Sequence, residues 1–179
     1  MVLSDVFESG PRLGEAVALL AAAGTVGVWG NHDLGLCHEP EEPVCARYAG
    51  PTLEFMRALR PRLELGDCLF THGLPQWDPG DPAVYYLGDR PETTAGLAGA
   101  FAGCPHPILF VGHFHRWLAA TPAGPVAWDG RRPLGLDPAH RWLVVIAAVC
   151  DGWCVAYDTD SRWLTPLPLD GSGAAVPPP

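Results

Sequence analysis

The chain has 179 residues, of which 48% are hydrophobic and 17% are charged. That length and apolar content predict one folded domain with a buried core, and they exclude general disorder. Eleven basic residues, all of them arginines, stand against twenty acidic ones, which gives a net charge of −9. The charge excludes a protein that coats nucleic acid or binds an anionic membrane surface, because both need a basic face.

The first half of the chain is predicted to alternate helices with strands. Its predicted elements are a helix over 11–23, a strand over 25–29, a loop over 37–50, a helix over 51–60, and strands over 63–65 and 68–71. The first helix follows from Leu13, Val17 and Leu20, whose spacing places them on one side. The pair Gly66-Asp67 is typical of a tight hairpin turn, so the two strands around it are expected to be antiparallel.

The second half is predicted to be richer in strands. Its predicted elements are a surface excursion over 74–90, a helix over 91–102, and strands over 108–112, 142–149 and 153–157. Asp151-Gly152 predicts a second hairpin. Together the two halves predict an α/β domain with a mixed sheet over residues 1–169, followed by a disordered tail over 170–179.

The cysteines and the hydropathy pattern bear on the compartment. The six cysteines include no C-x-x-C pair, so we expect reduced thiols, and neither a disulfide framework nor a structural zinc site. No run reaches the roughly 18–20 apolar residues of a membrane span. The N-terminus carries acidic residues and no basic region of the secretory type, so a cytoplasmic protein is expected.

Three apolar strands are followed directly by histidines. Residues 26–30 lead into Asn31-His32, residues 68–71 into His72, and residues 108–112 into His113 and His115. The carboxyl ends of neighbouring strands in an α/β sheet converge on one crevice. A single histidine at a strand end is more often a hydrogen-bonded structural residue, but three such segments together predict a transition-metal site.

These segments carry a resemblance to a known family. Gly30-Asn31-His32-Asp33, Thr71-His72-Gly73 and Gly112-His113-Phe114-His115 resemble three of the five signature blocks of the calcineurin-like metallophosphoesterases. Residues 4–11 are similar to a fourth block, Gly-Asp-x-x-Asp, with Ser4 in place of the glycine and Glu8 in place of the second aspartate. The resemblance covers most of the chain, is nearest to the small single-domain bacterial branch, and implies a two-sheet αββα sandwich.

The resemblance also implies a reaction and a site. Members of the family bind two divalent ions, commonly Mn, Fe or Zn, and hydrolyse phosphate mono- or diesters through a metal-activated water. The metal ligands it implies are Asp5, Asn31, His72, His113 and His115. Asp5 would bridge both ions and His115 would belong to the ion that the other three do not bind. His32 would be the catalytic imidazole, and Asp33 is expected either to orient His32 or an arginine, or to cap a helix.

One block of the family pattern has no counterpart here. The opening Asp-x-His would precede Asp5, and without it only Asp5 and His115 remain for the first ion. Three explanations are open: a start site further upstream, a truncated form that binds one ion, or a degenerate relative that is not catalytic. The first is favoured, because Met1 falls within a motif whose other ligands are intact. A missing central strand would also leave an exposed sheet edge, so low stability or oligomerisation is expected.

The expected substrate is a small phosphoester. Glu39, Glu41 and Glu42 in the predicted loop 37–50 would repel a long polyanion if that loop lies over the site. The tryptophans of the C-terminal half are expected to form sheet core more readily than a base-stacking platform; they are Trp117, Trp128, Trp142, Trp153 and Trp163.

Overall fold

The structure, a computed structural model, describes residues 1–3, 5–7, 12–48 and 50–169. Its helices are α1 (Leu13–Ala22), α2 (Leu34–Cys37), α3 (Glu42–Arg47), α4 (Pro51–Ala58), α5 (Val84–Leu87) and α6 (Thr94–Ala102). Its strands are β1 (Arg62–Leu65), β2 (Cys68–Thr71), β3 (Ile108–Val111), β4 (Leu118–Thr121), β5 (Gly124–Val126), β6 (Leu134–Gly135), β7 (Trp142–Val145), β8 (Trp153–Asp158) and β9 (Trp163–Pro168). No helix within these described ranges has the length and apolar character needed to cross a membrane. Ser4, Glu8 and the predicted tail over 170–179 lie outside the described residues.

The larger sheet has six strands in the order β1-β2-β3-β7-β4-β5. Its centre is parallel, because β3 runs parallel to both β2 and β7, whereas β1, β4 and β5 are antiparallel to their neighbours. In register, Val111 at the end of β3 lies between Thr71 of β2 and Val145 of β7. The predicted mixed sheet is therefore confirmed, and three strands end side by side at one edge.

The two faces of the large sheet bury different partners. Leu109 and Val111 point to the side covered by α6, whereas Ile108 and Phe110 pack with Leu164 of the smaller sheet, which has the order β6-β9-β8. The alternation follows from the two-residue period of a strand, and all four side chains of β3 are buried. The result is a sandwich of two sheets with helix α6 on the outside of the larger one.

The N-terminal helices form a third apolar cluster beside the sheets. Leu13 and Val17 of α1 pack with Leu36 of α2 and Met56 of α4, whereas Leu20, the third residue of the predicted stripe, is only partly buried. The predicted strand over 25–29 is reduced to two isolated parallel bridges, Val2 with Gly27 and Val28 with Arg60. The segment that carries Asp5 is thus tied to the body of the fold next to the Asn31-His32 turn.

Two predictions for irregular segments are wrong. The predicted loop 37–50 contains helix α3, with Pro43 in its first turn, where a missing N–H costs nothing. The predicted surface excursion 74–90 is surface only in part: Leu74, Trp77 and Tyr85 are buried against the large sheet, whereas Tyr86 and Leu87 are exposed. Apolar anchors spaced widely among prolines and glycines show no period, so the sequence pattern did not reveal them.

The hairpin predicted around Asp151-Gly152 is also wrong. β7 before this turn belongs to the larger sheet, and β8 after it belongs to the smaller one. The turn is a short 3-10 helix over Val149–Asp151 that ends at Gly152 in the left-handed region, with φ 82°. The chain changes sheets here, which a local turn signal does not distinguish from a hairpin. All six cysteines are free, as expected.

Candidate metal centre

The strand ends gather three predicted ligands. His72 follows β2 directly and His113 follows β3 after one glycine, and the Gly112 N–H donates to the His72 carbonyl at 3.1 Å. Each of Asp5, His72 and His113 offers one ligand atom, and these atoms lie within 4.8 Å of one another. Because β2 and β3 are parallel neighbours, the sheet register itself brings the two imidazoles together.

Asn31 completes the arrangement around His72, whose side chain is only 3% exposed. The Nε2 atom of His72 lies 3.1 Å from Asp5 Oδ2 and 3.2 Å from Asn31 Oδ1. Four of the five predicted ligands therefore belong to one site at the edge of the sheet.

Backbone carbonyls fix which ring nitrogens can bind a metal. The Leu3 carbonyl lies 2.7 Å from Nδ1 of His72, and because a carbonyl only accepts, that nitrogen carries the hydrogen. The Tyr85 carbonyl lies 2.8 Å from Nε2 of His113 in the same way. In the neutral rings, the lone pairs are then on Nε2 of His72 and Nδ1 of His113. Such carbonyl partners are typical of metal-binding histidines.

The donor set fits a divalent transition metal. Around Nε2 of His72, a carboxylate oxygen of Asp5 and the amide oxygen of Asn31 lie at 3.1 and 3.2 Å, so one nitrogen and two oxygen donor atoms meet at one point. Two imidazoles, one carboxylate and one amide oxygen are the ligand types that suit Mn, Fe or Zn.

The charge states agree with this role. Burial alone would raise the pKa of Asp5, but the hydrogen bond and charge of His72 and the N–H of His32 outweigh it and hold that pKa below its usual range. Burial lowers the pKa of His113, and nearby His72 adds to the effect, while the bond to the Tyr85 carbonyl opposes it. A carboxylate and a neutral imidazole are the forms that bind metal.

Asp33 holds the segment that carries Asp5. Its buried carboxylate accepts the N–H groups of Phe7 at 2.8 Å, Gly30 at 2.9 Å and Asp5 at 3.0 Å. The Gly30 contact is the capping that the sequence allowed for, but the two contacts to residues 5 and 7 were not expected. Asp5 has φ 58°, in the left-handed region that aspartate enters more readily than most residues other than glycine. The Asp33 clamp holds the backbone of residues 5 and 7 in place and so keeps Asp5 beside His72.

We expect Asp33→Ala to lower the free energy of unfolding of the metal-free protein by about 3–5 kcal/mol, since hydrogen bonds to a charged group contribute about 1.5–3 kcal/mol each and do not add fully. Urea unfolding with a chelator present measures this directly. Asp137→Ala is the matched control, because Asp137 is exposed and its carboxylate accepts a single backbone hydrogen bond among the described residues, from the N–H of Ala139 at 2.8 Å. A loss for Asp33→Ala no larger than that of the control would contradict the clamp.

Gly112 is required by a close approach of two backbones. A Cβ at this position would lie 2.9 Å from the Leu3 carbonyl oxygen and 3.3 Å from Nδ1 of His72. The first distance is shorter than real Cβ contacts, so a side chain here would push away the carbonyl that orients His72. The glycine before His113 therefore serves the ligand of the neighbouring strand.

The remaining two predicted site residues lie differently. The side chain of His32 is exposed, and its backbone N–H donates to Asp5 Oδ1 at 3.3 Å, which places this residue at the open side of the centre. His115 is grouped with other residues: its Nδ1 lies 3.6 Å from Asp151 Oδ2 and 3.7 Å from the Cys150 sulfur. Sequence reasoning overlooked Cys150 and Asp151, although they follow β7 as the histidines follow β2 and β3.

Comparison with solved structures gives a clear likeness. A metallophosphoesterase from Sphaerobacter thermophilus superimposes with a TM-score of 0.72 over 94% of this chain and 76% of that chain, at 22% sequence identity. The two proteins share a fold. The expected mixed α/β architecture with a second sheet is thereby confirmed, while the loss of an N-terminal strand stays a prediction. Searches with protein-family models and against curated proteins gave no match.

Proposed function

We propose that this protein is a divalent-metal-dependent phosphoesterase that hydrolyses small phosphate mono- or diesters. The observation that carries the proposal is the cluster of Asp5, Asn31, His72 and His113 at the carboxyl edge of a sheet, in a fold shared with a metallophosphoesterase. These four residues would hold a Mn, Fe or Zn ion. Such an ion supplies Lewis-acid activation of water and of the phosphoryl oxygens.

In this proposal the chain's own residues have two tasks, to orient the metal ligands and to donate a proton to the leaving group. Asp33 fixes the Asp5 backbone, and the Leu3 and Tyr85 carbonyls fix the ring orientations of His72 and His113. His32 has an exposed side chain and a backbone N–H contact with Asp5, which supports the proposed role of its imidazole in donating a proton to the leaving oxygen or in stabilising charge in the transition state.

The proposal also includes the class of substrate, the number of bound ions and the cellular compartment. A net charge of −9 favours a small ester over a long nucleic acid. The family resemblance would assign a second ion to Asp5 and His115, whereas in the structure Nδ1 of His115 lies beside the sulfur of Cys150. Six free thiols agree with a reducing compartment such as the cytoplasm.

We expect the metal-free chain to gain turnover of an aryl phosphate or an aryl phosphodiester when Mn²⁺ is added, and to lose it again with excess chelator. Initial rates with Mn²⁺, Fe²⁺ and Zn²⁺ in turn compare the three candidate ions. Asp5→Asn, purified by the same steps, is the control for contaminating phosphatases, because it keeps the shape of the side chain and removes the charge that binds the ion.

The alternative is a metal-binding relative that is not catalytic. It predicts Mn²⁺ binding, measured by calorimetry, with no turnover of either substrate above the Asp5→Asn background. Binding without turnover in all three metals would reject the enzyme, and the absence of both would reject the metal centre as well.

A further inference from the structure

A second group of metal-binding side chains lies outside the centre described above. Its members are His115, Cys150 and Asp151, and their ligand atoms lie within 4.8 Å of one another. His115 follows β3, and Cys150 and Asp151 follow β7 on the short 3-10 helix before Gly152. Because β3 and β7 are parallel neighbours, the same edge of the sheet that gathers the first group also gathers this one.

The distances within the group, one of which is a long hydrogen bond between the Cys150 sulfur and Nδ1 of His115, are also compatible with a metal polyhedron. Nδ1 of His115 lies 3.6 Å from Asp151 Oδ2, which is too long for a hydrogen bond, and 3.7 Å from the sulfur of Cys150. Zinc binds nitrogen and oxygen at about 2.0–2.2 Å and sulfur at about 2.3 Å, so the edges of its tetrahedron are about 3.4–3.6 Å long. Two of the three separations are therefore close to the edges of such a tetrahedron, and the third, between the Cys150 sulfur and an Asp151 oxygen, is at most 4.8 Å.

A catalytic cysteine is the other chemistry that these residue types suggest, and the geometry disfavours it. In a Cys-His-Asp relay the nucleophile and the carboxylate contact opposite nitrogens of the imidazole. Here the sulfur and the carboxylate oxygen both approach Nδ1 of His115. Both groups therefore lie on the Nδ1 side of the imidazole, where the three ligand atoms could surround one cation.

We propose that His115, Cys150 and Asp151 form a separate zinc site with a thiolate ligand. One imidazole, one thiolate and one carboxylate are the ligand types of zinc, whereas the thiolate disfavours the hard ions Mg²⁺ and Ca²⁺. All three side chains are exposed, so an ion reaches them without opening the core. This assignment replaces the one that the resemblance implies for His115, which is an ion shared with Asp5. The site shares no ligand with the cluster of Asp5, Asn31, His72 and His113, and so goes beyond the proposed phosphoesterase function.

An open groove lies beside the proposed ligands. His115 and Asp151 border an open groove of about 620 Å³ that is also lined by Trp117, Trp128 and Trp153. These three tryptophans, which the sequence favoured as core, are only partly buried. Three protein ligands with one open position are the arrangement of zinc sites that bind a water or a further ligand.

The test is a Co²⁺ titration of the metal-free full chain in the presence of a phosphine reductant. Co²⁺ is the probe because cobalt bound to a thiolate gives a charge-transfer band in the near ultraviolet, which a site built from nitrogen and oxygen does not. We expect the band to appear, to saturate, and to disappear when Zn²⁺ displaces the cobalt. Burial raises the pKa of Cys68 to about 12 and also raises that of Cys37, so these thiols do not supply the thiolate readily.

Substitutions of the proposed ligands test which residues bind the cobalt that gives the band. We expect Cys150→Ser and His115→Ala each to remove the band or to weaken Co²⁺ binding at least about 10-fold. Loss of a residue that only hydrogen-bonds to a metal ligand already costs about 10-fold or more in metal affinity. Cys154→Ser is the matched control, since Cys154 is a free, partly buried thiol four residues away, and it should leave the band unchanged. His72→Asn should also leave it unchanged, which separates this site from the phosphoesterase centre.

Several results would overturn the proposal. They are the absence of a band in the wild type, its persistence in Cys150→Ser or His115→Ala, and its loss in Cys154→Ser. A band that is lost in His72→Asn would instead place the cobalt at the first centre. Full Co²⁺ binding without any band would favour the assignment of His115 to an ion shared with Asp5.

Discussion

His72→Asn is expected to remove the metal and the activity together while leaving the fold in place. The asparagine amide nitrogen replaces Nδ1 as the donor to the Leu3 carbonyl, but Nε2, which faces Asp5 and Asn31, is lost. Affinity for Mn²⁺ should fall by more than the roughly 10–100-fold that loss of an outer-shell partner costs. Calorimetric titration measures the affinity, and turnover of an aryl phosphate at fixed Mn²⁺ measures the activity.

The control for this substitution is His140→Asn, because the His140 side chain is exposed and lies in a turn before β7. It should match the wild type in Mn²⁺ affinity and turnover. Circular dichroism and urea unfolding establish that the His72 variant is folded. Wild-type affinity in a folded His72→Asn protein would show that Nε2 is not a ligand.

His32→Ala is expected to reduce turnover by about 10²–10⁴-fold, the usual contribution of a general acid. Its Mn²⁺ affinity should stay close to that of the wild type, since the His32 contact with Asp5 is made by the backbone N–H, which alanine keeps. The ring is exposed, so the free energy of unfolding should hardly change.

Leaving groups distinguish the two roles open to His32. If the imidazole protonates the leaving oxygen, the loss of rate should be largest for phenyl phosphate and smallest for nitrophenyl phosphate, whose leaving group needs no proton. An equal loss for both esters favours stabilisation of transition-state charge instead. Turnover equal to that of the wild type with both esters would remove His32 from the mechanism, with His140→Ala as the control.

The elements with strong local signals could be predicted from the sequence. The helices over 13–22 and 51–58, the hairpin of β1 and β2, and the buried strand β3 all lie within the predicted segments. Each has either an apolar period or a turn pair, which depends only on neighbouring residues. The elements that were mispredicted depend on distant contacts: Tyr85 is core because it meets the sheet, and β7 and β8 separate because they pair with different strands.

The residues of the candidate site show the same difference between local sequence signals and distant contacts. By itself the sequence determined that histidines follow three apolar segments, because an abrupt change from apolar to metal-binding residues is visible in one dimension; two of these segments are the strands β2 and β3, and the third forms only isolated bridges. Only the tertiary structure decided which of those side chains meet. Strand order placed His72 and His113 together, and β7 beside β3 brought Cys150 and Asp151 to His115. The contacts of Asp33 with residues 5 and 7 bridge more than 25 positions, and such closeness arises only when the backbone folds back on itself.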